Sequence, residues 1–161
     1  MRPGSIALLA AILVTPAAFA GKPHCMFRIH AEANERDSEV FASSIKTKFS
    51  GKEVAIEKAA SISEDDVVAF SLYQAPDGTL GALLILDDHG RDILEGVSVE
   101  HRGQHLFVLM NGRILTEFLV DKRVSDGKIY IPSGITVADL RLMKKDWKLI
   151  APKDKEKEKK K

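Results

Sequence analysis

The sequence predicts an α+β domain, a mostly antiparallel sheet with two or three short helices packed on one face. Three observations carry that expectation. Segments of alternating polarity recur along the body of the chain, with the period of half-buried strands. Turn signals separate them: Ser50-Gly51-Lys52, Pro76-Asp77-Gly78, Asn111-Gly112 and Ser125-Asp126-Gly127. Finally, Ser63 with Asp66 and Thr136 with Asp139 have the Ser/Thr-x-x-acid spacing that opens a helical turn.

Taken in order, residues 1–20 have the layout of a secretory signal. Arg2 precedes the apolar run IALLAAILV, and small residues stand at Ala18 and Ala20, so cleavage is expected after Ala20. The apolar run is short for a membrane span, and a retained anchor is the alternative. Cys25 follows Lys22-Pro23-His24, which lacks the small apolar pattern of a lipid-attachment site. It is expected to be a buried small hydrophobe. Residues 21–150 are expected to form a single periplasmic or secreted domain with no further membrane span.

Residues 25–33 (CMFRIHAEA) alternate, with Phe27, Ile29 and Ala31 on one side, and are expected to form a half-buried strand. A polar loop at 34–39 leads to a weaker strand at 40–49, which pairs as a hairpin with 53–58 (EVAIEK). After one short helical turn near Ser63, a strand at 67–74 turns through Pro76-Asp77-Gly78 into 79–86 (TLGALLIL). Pro presets φ and Gly accepts positive φ, so this is a turn with a mechanism. The unbroken apolar run after it predicts a central strand. Asp87 or Asp88 caps a short helix over about 91–96, and 98–103 is expected to be a polar connector capped by Ser98. The most hydrophobic strand, 104–110, turns at Asn111-Gly112 and returns through 113–120. A strand at 128–131 follows, and then a helix from Val137 to about Trp147 with Val137, Leu140, Met143 and Trp147 near one face. The tail 151–161 (APKDKEKEKKK) has almost nothing to bury and is expected to be disordered.

Composition limits the function. The 161 residues are 45% apolar and 29% charged, with a formal net charge of +1. Six lysines and three acids lie in the tail, leaving 17 basic and 20 acidic residues in 21–150. A body that is slightly acidic lacks the basic face of a duplex-binding domain, so nucleic acid is not an expected partner. The lysine tail could make weak, salt-sensitive contact with an anionic surface. A single cysteine allows no internal disulfide and no CxxC metal motif.

The ordered series in 86–136 resembles the head of the first periplasmic domain of SecD, an accessory subunit of the Sec translocase. The matching positions are Leu86-Asp87, Gly90, Leu94, Ser98, Gly103, the strand 106–110, Asn111-Gly112, Asp126-Gly127, the strand 129–131, Gly134 and Thr136. Ile62-Ser63 and Asp66-Val67 extend the likeness upstream. The resemblance covers about half of 21–161 and implies a compact head that touches extended or partly unfolded polypeptide in the envelope. One departure is Leu115-Thr116-Glu117-Phe118, which stands where SecD has an apolar-Ser-Ala-Pro segment. SecD's proton-conducting membrane helices also have no counterpart after the apolar run at the start of this sequence.

The candidate chemistry is sparse. His24, Cys25 and His30 are close in sequence, but three ligands on an alternating strand do not converge. No metal and no other cofactor is assigned. Ser98-Val99-Glu100-His101 lacks the Gly-x-Ser-x-Gly elbow, and the glycines stand singly at turns rather than in a phosphate loop. No residue is assigned as catalytic. The leading expectation is a non-enzymatic binding domain whose partner-contact residues are Asn111, Gly112 and Arg113 at a hairpin tip. One alternative is a small envelope hydrolase with a site around Asp87, Asp88, His89 and His101. The other is a structural accessory subunit pairing through an exposed sheet edge.

Overall fold

A computed structural model of the protein describes residues 22–34, 40–48 and 51–150. The expected signal and lysine tail lie outside the described residues, as do most of the 34–39 loop and residues 49–50. Elsewhere the chain is α+β, with mostly antiparallel strands and two helices, as its patterning predicts.

The elements are β1 (Phe27–Ala31), β2 (Ala42–Lys46), β3 (Glu53–Glu57), β4 (Ile62–Ser63), a single 3-10 turn (Glu64–Asp66), β5 (Val67–Gln74) and β6 (Leu80–Leu86). Then come α1 (Asp88–Glu100), β7 (His105–Met110), β8 (Arg113–Leu119), β9 (Lys128–Ile135), α2 (Val137–Asp146) and β10 (Lys148–Leu149). The strands are divided among three sheets. One has the order β4-β1-β7-β8, the second β10-β5-β6-β9, and the β2–β3 hairpin is the third, tied to the end of β1 by the Glu32–Ile56 bridge. The apolar strand β6 is central, as expected, between β5 and β9. The stretch 86–136 serves both larger sheets, because β7 pairs with β1 while β9 pairs with β6.

Alternation explains why the two larger sheets share one core. In the first sheet Phe27, Ile29 and Ala31 register with Met110, Val108 and Leu106, all buried and all on one face. In the second, Phe70, Leu84 and Ile129 form a row across three strands. These residues join a single cluster with Leu94 of α1 and Met143 of α2. Each fully buried side chain of this size contributes about 1.5–3 kcal/mol through removal from water. Trp147, at the end of α2, meets Phe27 of one sheet and Phe70 of the other edge-on, at 6.1 and 6.4 Å between ring centroids.

The helices depart from expectation in three details. Helix α1 has 13 residues, twice the expected span, and begins where Asp87 Oδ1 accepts the Gly90 N–H at 2.7 Å. Ser98 is not a cap beginning a connector. It lies buried inside α1, where its hydroxyl donates to Glu95 O (2.8 Å) and accepts the Val124 N–H (2.9 Å). That back-bonding lets a polar residue sit on an inward helix face. The Thr136–Asp139 capping box opens α2 as expected, and Met143 and Trp147 face inward. Val137, however, is 64% exposed.

Candidate functional site

A groove of about 280 Å³ lies between β8 and β9, with Leu94 of α1 and Val124 of the 120–127 connector also lining it. β8 and β9 are the edge strands of their respective sheets. From β8 come Thr116 and Phe118, which share a face. From β9 come Lys128, Ile129, Tyr130 and Pro132. Neighbours along a strand point to opposite faces, so three consecutive residues can line one groove only if it runs along the strand's edge. Edge strands carry unpaired backbone donors and acceptors, which Pro132 interrupts at one position.

The surrounding contacts set the groove's shape. The Ser98 hydroxyl holds the Val124 backbone, fixing the connector against α1. Gly127 (φ 62°) lies against the Arg91 stem, and its carbonyl accepts the Leu86 N–H at 2.9 Å, which fixes the start of β9. Tyr130 is 59% exposed and stacks on Tyr73 with ring centroids 5.3 Å apart and planes 3° from parallel. The Tyr73 hydroxyl donates to Ile131 O. Its ring crosses over Gly81, where an added Cβ would fall 2.3 Å from Tyr73 Cζ. Burial is the main cause that pushes the Tyr73 phenol up, so it remains a neutral donor.

The charges at the groove are unevenly engaged. The Arg123 guanidinium is paired with Glu95, and Lys48 Nζ donates to Leu115 O at 2.8 Å. Lys128 takes part in no ion pair or side-chain hydrogen bond among the described residues. Its backbone N–H donates to Asp126 Oδ1 at 3.2 Å.

The hairpin-tip residues Asn111, Gly112 and Arg113 do come together. Asn111 (φ 49°) and Gly112 (φ 77°) adopt the paired positive φ that a two-residue turn requires. Yet the tip is bound into the fold. Asn111 Nδ2 and Arg113 NH2 donate to the two carboxylate oxygens of Asp139, at 2.7 and 2.5 Å, and Asn111 Oδ1 accepts the Met26 N–H at 3.0 Å. Asp139 is 3% exposed. Burial alone would raise its pKa, but the Thr136 hydroxyl and backbone, Asn111 and the Arg113 charge together hold it below the ordinary carboxylate range.

The residues of the hydrolase alternative are not assembled. His101 follows the C-terminus of α1 and bonds Gln104, a helix length of about 20 Å from Asp87, Asp88 and His89 at its start. Asp88 is exposed and pairs with Arg91. His89 Nδ1 instead meets Asp66 Oδ1 at 2.8 Å. Burial would raise the Asp66 pKa, but the Ser63 N–H, His89 and the Ser63 hydroxyl bring it below its ordinary value. Ligand atoms of Asp66, Asp87 and His89 lie within 4.8 Å of one another. Each already has a hydrogen-bond partner, and the positive end of α1 opposes a cation there.

The sequence gives no sign of a second cleft, of about 510 Å³, lined by His24, Cys25, Glu64, Asp65, Asp146 and Trp147 among others. Its carboxylates hold the fold: Asp146 Oδ2 accepts the Cys25 N–H at 2.6 Å, and Glu64 accepts from Phe27 N and Arg28. Burial, and then Asp139, Asp146 and Glu64, push the Cys25 thiol up to about 12. It is inert as a nucleophile near neutral pH. His30 turns to Glu57 O, away from Cys25.

No protein-family model matches the chain, and no curated protein matches it. Solved structures do. A structure of SecDF, described as a membrane component that enhances protein export, aligns with 78% of this chain and 64% of its own at 12% identity and a TM-score of 0.54. A second, of SecDF in a super-membrane-facing form, aligns with 77% of this chain and 28% of its own at 9% identity and a TM-score of 0.48. The chain thus spans under two thirds of the length of either. The first likeness establishes a SecD-like periplasmic-domain fold for this chain, in agreement with the resemblance drawn from 86–136.

Proposed function

We propose that this protein is an envelope domain, periplasmic or secreted, that binds extended polypeptide and carries out no chemistry on it. The observation that carries this reading is the apolar groove between the edge strands β8 and β9. An extended segment can add its backbone to such an edge while placing alternate side chains in a pocket beside it. At about 280 Å³ the groove is at or below the small end of small-molecule sites, which span about 300–1,000 Å³. It suits a side chain or two of a longer ligand.

Two further features support the reading. The leader-like residues 1–20 would direct the chain across a membrane, and no helix among the described residues is long and apolar enough to cross one. The fold is shared with SecDF, described as enhancing protein export. The hairpin tip at Asn111, Gly112 and Arg113 would be a secondary contact, because its polar groups already serve Asp139.

Binding of fluorescein-labelled extended peptides to the purified protein, followed by anisotropy, tests the proposal. Tyr130→Ala is expected to weaken binding about tenfold or more, the scale of an aromatic anchor at an interface. Val99→Ala, at an exposed α1 position that does not line the groove, should leave it unchanged. Failure to bind any peptide, or equal loss in both variants, would overturn the reading. Recovery of one stoichiometric partner on the β9 edge, in place of many peptides, would favour the structural-subunit alternative.

A further inference from the structure

We infer that the groove selects segments in which an acidic residue neighbours the apolar anchor, with Lys128 as the selecting group. This rests on the polypeptide-binding reading and adds a charge preference to it.

Among the described residues that line the groove Lys128 is the only charged one, and none is acidic. Nearby cations are engaged elsewhere: Arg123 by Glu95, Arg91 by Asp88 and Asp92, and Lys48 by Leu115 O. Lys128 has no such partner among the described residues. Asp126 lies close in sequence, but its carboxylate contacts the Lys128 backbone N–H and forms no ion pair with the ammonium. A flexible lysine at the rim of an apolar groove can bury its stem against the apolar wall and keep its charged end available.

The position of Lys128 gives this charge a register. It opens β9, directly before Ile129 and Tyr130, both of which line the groove. In a segment added along β9, side chains repeat about every 7 Å on each face. A residue placed two positions from the groove-filling side chain would therefore fall near the strand's start. A carboxylate there meets an unpaired ammonium. A lysine there meets a like charge, which is unfavourable.

The test uses two fluorescein-labelled peptides with one shared Leu/Phe/Val-rich core, one flanked by glutamates and the other by lysines. The intact protein is expected to prefer the acidic peptide about two- to fivefold, the size of an exposed ion pair. The preference should fade as salt shortens the screening length. Lys128→Glu should reverse it, and Lys128→Ala should erase it. If the intact protein binds both charged peptides equally, the charge selection is wrong and polypeptide binding stands. If the preference survives in Lys128→Ala, Lys128 is not the selecting group. If no peptide binds, both readings fall.

Discussion

The two ends of β8 put their polar groups to opposite uses. At its start, Arg113 and the preceding Asn111 converge on Asp139, and the hairpin tip, the first turn of α2 and the chain before β1 are joined in one hydrogen-bonded network. Further along, Thr116 and Phe118 face a groove whose cation, Lys128, has no side-chain partner among the described residues and whose far wall is the edge of β9. The tip concentrates recognisable polar residues and is closed. The groove is made of ordinary apolar residues and is open. A cluster of charge in sequence therefore says where bonds will form, but whether they form within the fold or with a partner depends on what tertiary structure brings opposite.

The largest effect should come from breaking the closed end. Asp139→Ala removes the carboxylate half of the α2 capping box and the shared acceptor for Asn111 and Arg113. A helix cap is worth about 1 kcal/mol and a hydrogen bond to a charged group about 1.5–3 kcal/mol. With half-exposed Arg113 discounted for solvent screening, a total loss of about 2–3 kcal/mol in urea unfolding is expected. Because the folded pKa of Asp139 is depressed, its stabilisation is present above the unfolded carboxylate value near 3.9 and is lost as pH falls toward the folded value. Asp139→Asn should therefore flatten the acid limb of the stability profile. Peptide binding below the unfolding midpoint should be preserved. A matching loss of binding would erase the distinction between the two ends.

A smaller effect is expected at the open end from Gly81→Ala. The new Cβ would collide with the Tyr73 ring, but the collision is with the far end of a side chain that can rotate aside. The cost is then about 1 kcal/mol, the low end of overpacking. Displacing Tyr73 removes its hydroxyl from Ile131 O and its ring from Tyr130. Peptide affinity should fall although Gly81 itself does not line the groove. Full stability loss with unchanged affinity would show that Tyr130 needs no support from Tyr73.

The difference between the two regions also explains what could be read from the chain. Strand alternation in 25–33, the Asn-Gly turn and the Thr136–Asp139 box are local patterns, and each is found where its period or spacing places it. The strand partners are not local. Nothing in 86–136 shows that β7 joins β1 while β9 joins β6, because that division depends on which apolar faces meet. Ser98 reads in sequence as a cap, which it is not, and its role as the buried tie between α1 and Val124 is hidden because the partner lies 26 residues away. The groove was invisible for the same reason: Leu94, Phe118, Val124 and Tyr130 have no common spacing. Arg113 was legible as a cation, and only the fold reveals Asp139 beside it.

The smallest effect separates the Asp66–His89 contact from the Asp139 network. His89 is exposed, and its imidazole is held above its ordinary pKa first by the hydrogen bond with Asp66, which with the smaller Asp66, Asp87 and Asp92 charge effects outweighs desolvation. A raised folded pKa means that the contribution is fully present below the unfolded value near 6.5 and is lost as pH rises through the folded value. Asp66 has the opposite sign: its depressed pKa gives stabilisation that is present above the unfolded carboxylate value and lost as pH falls through the folded one. The pair therefore works in a window that closes on the alkaline side at His89 and on the acid side at Asp66. NMR titration of the His89 ring should give a midpoint above 6.5, moving down in Asp66→Asn. His89→Gln should remove the alkaline slope of the urea midpoint while leaving the acid limb governed by Asp139 in place. A His89 midpoint at or below the ordinary value would mean that the contact with Asp66 is not maintained in solution, leaving Asp139 as the polar network that secures the helix ends.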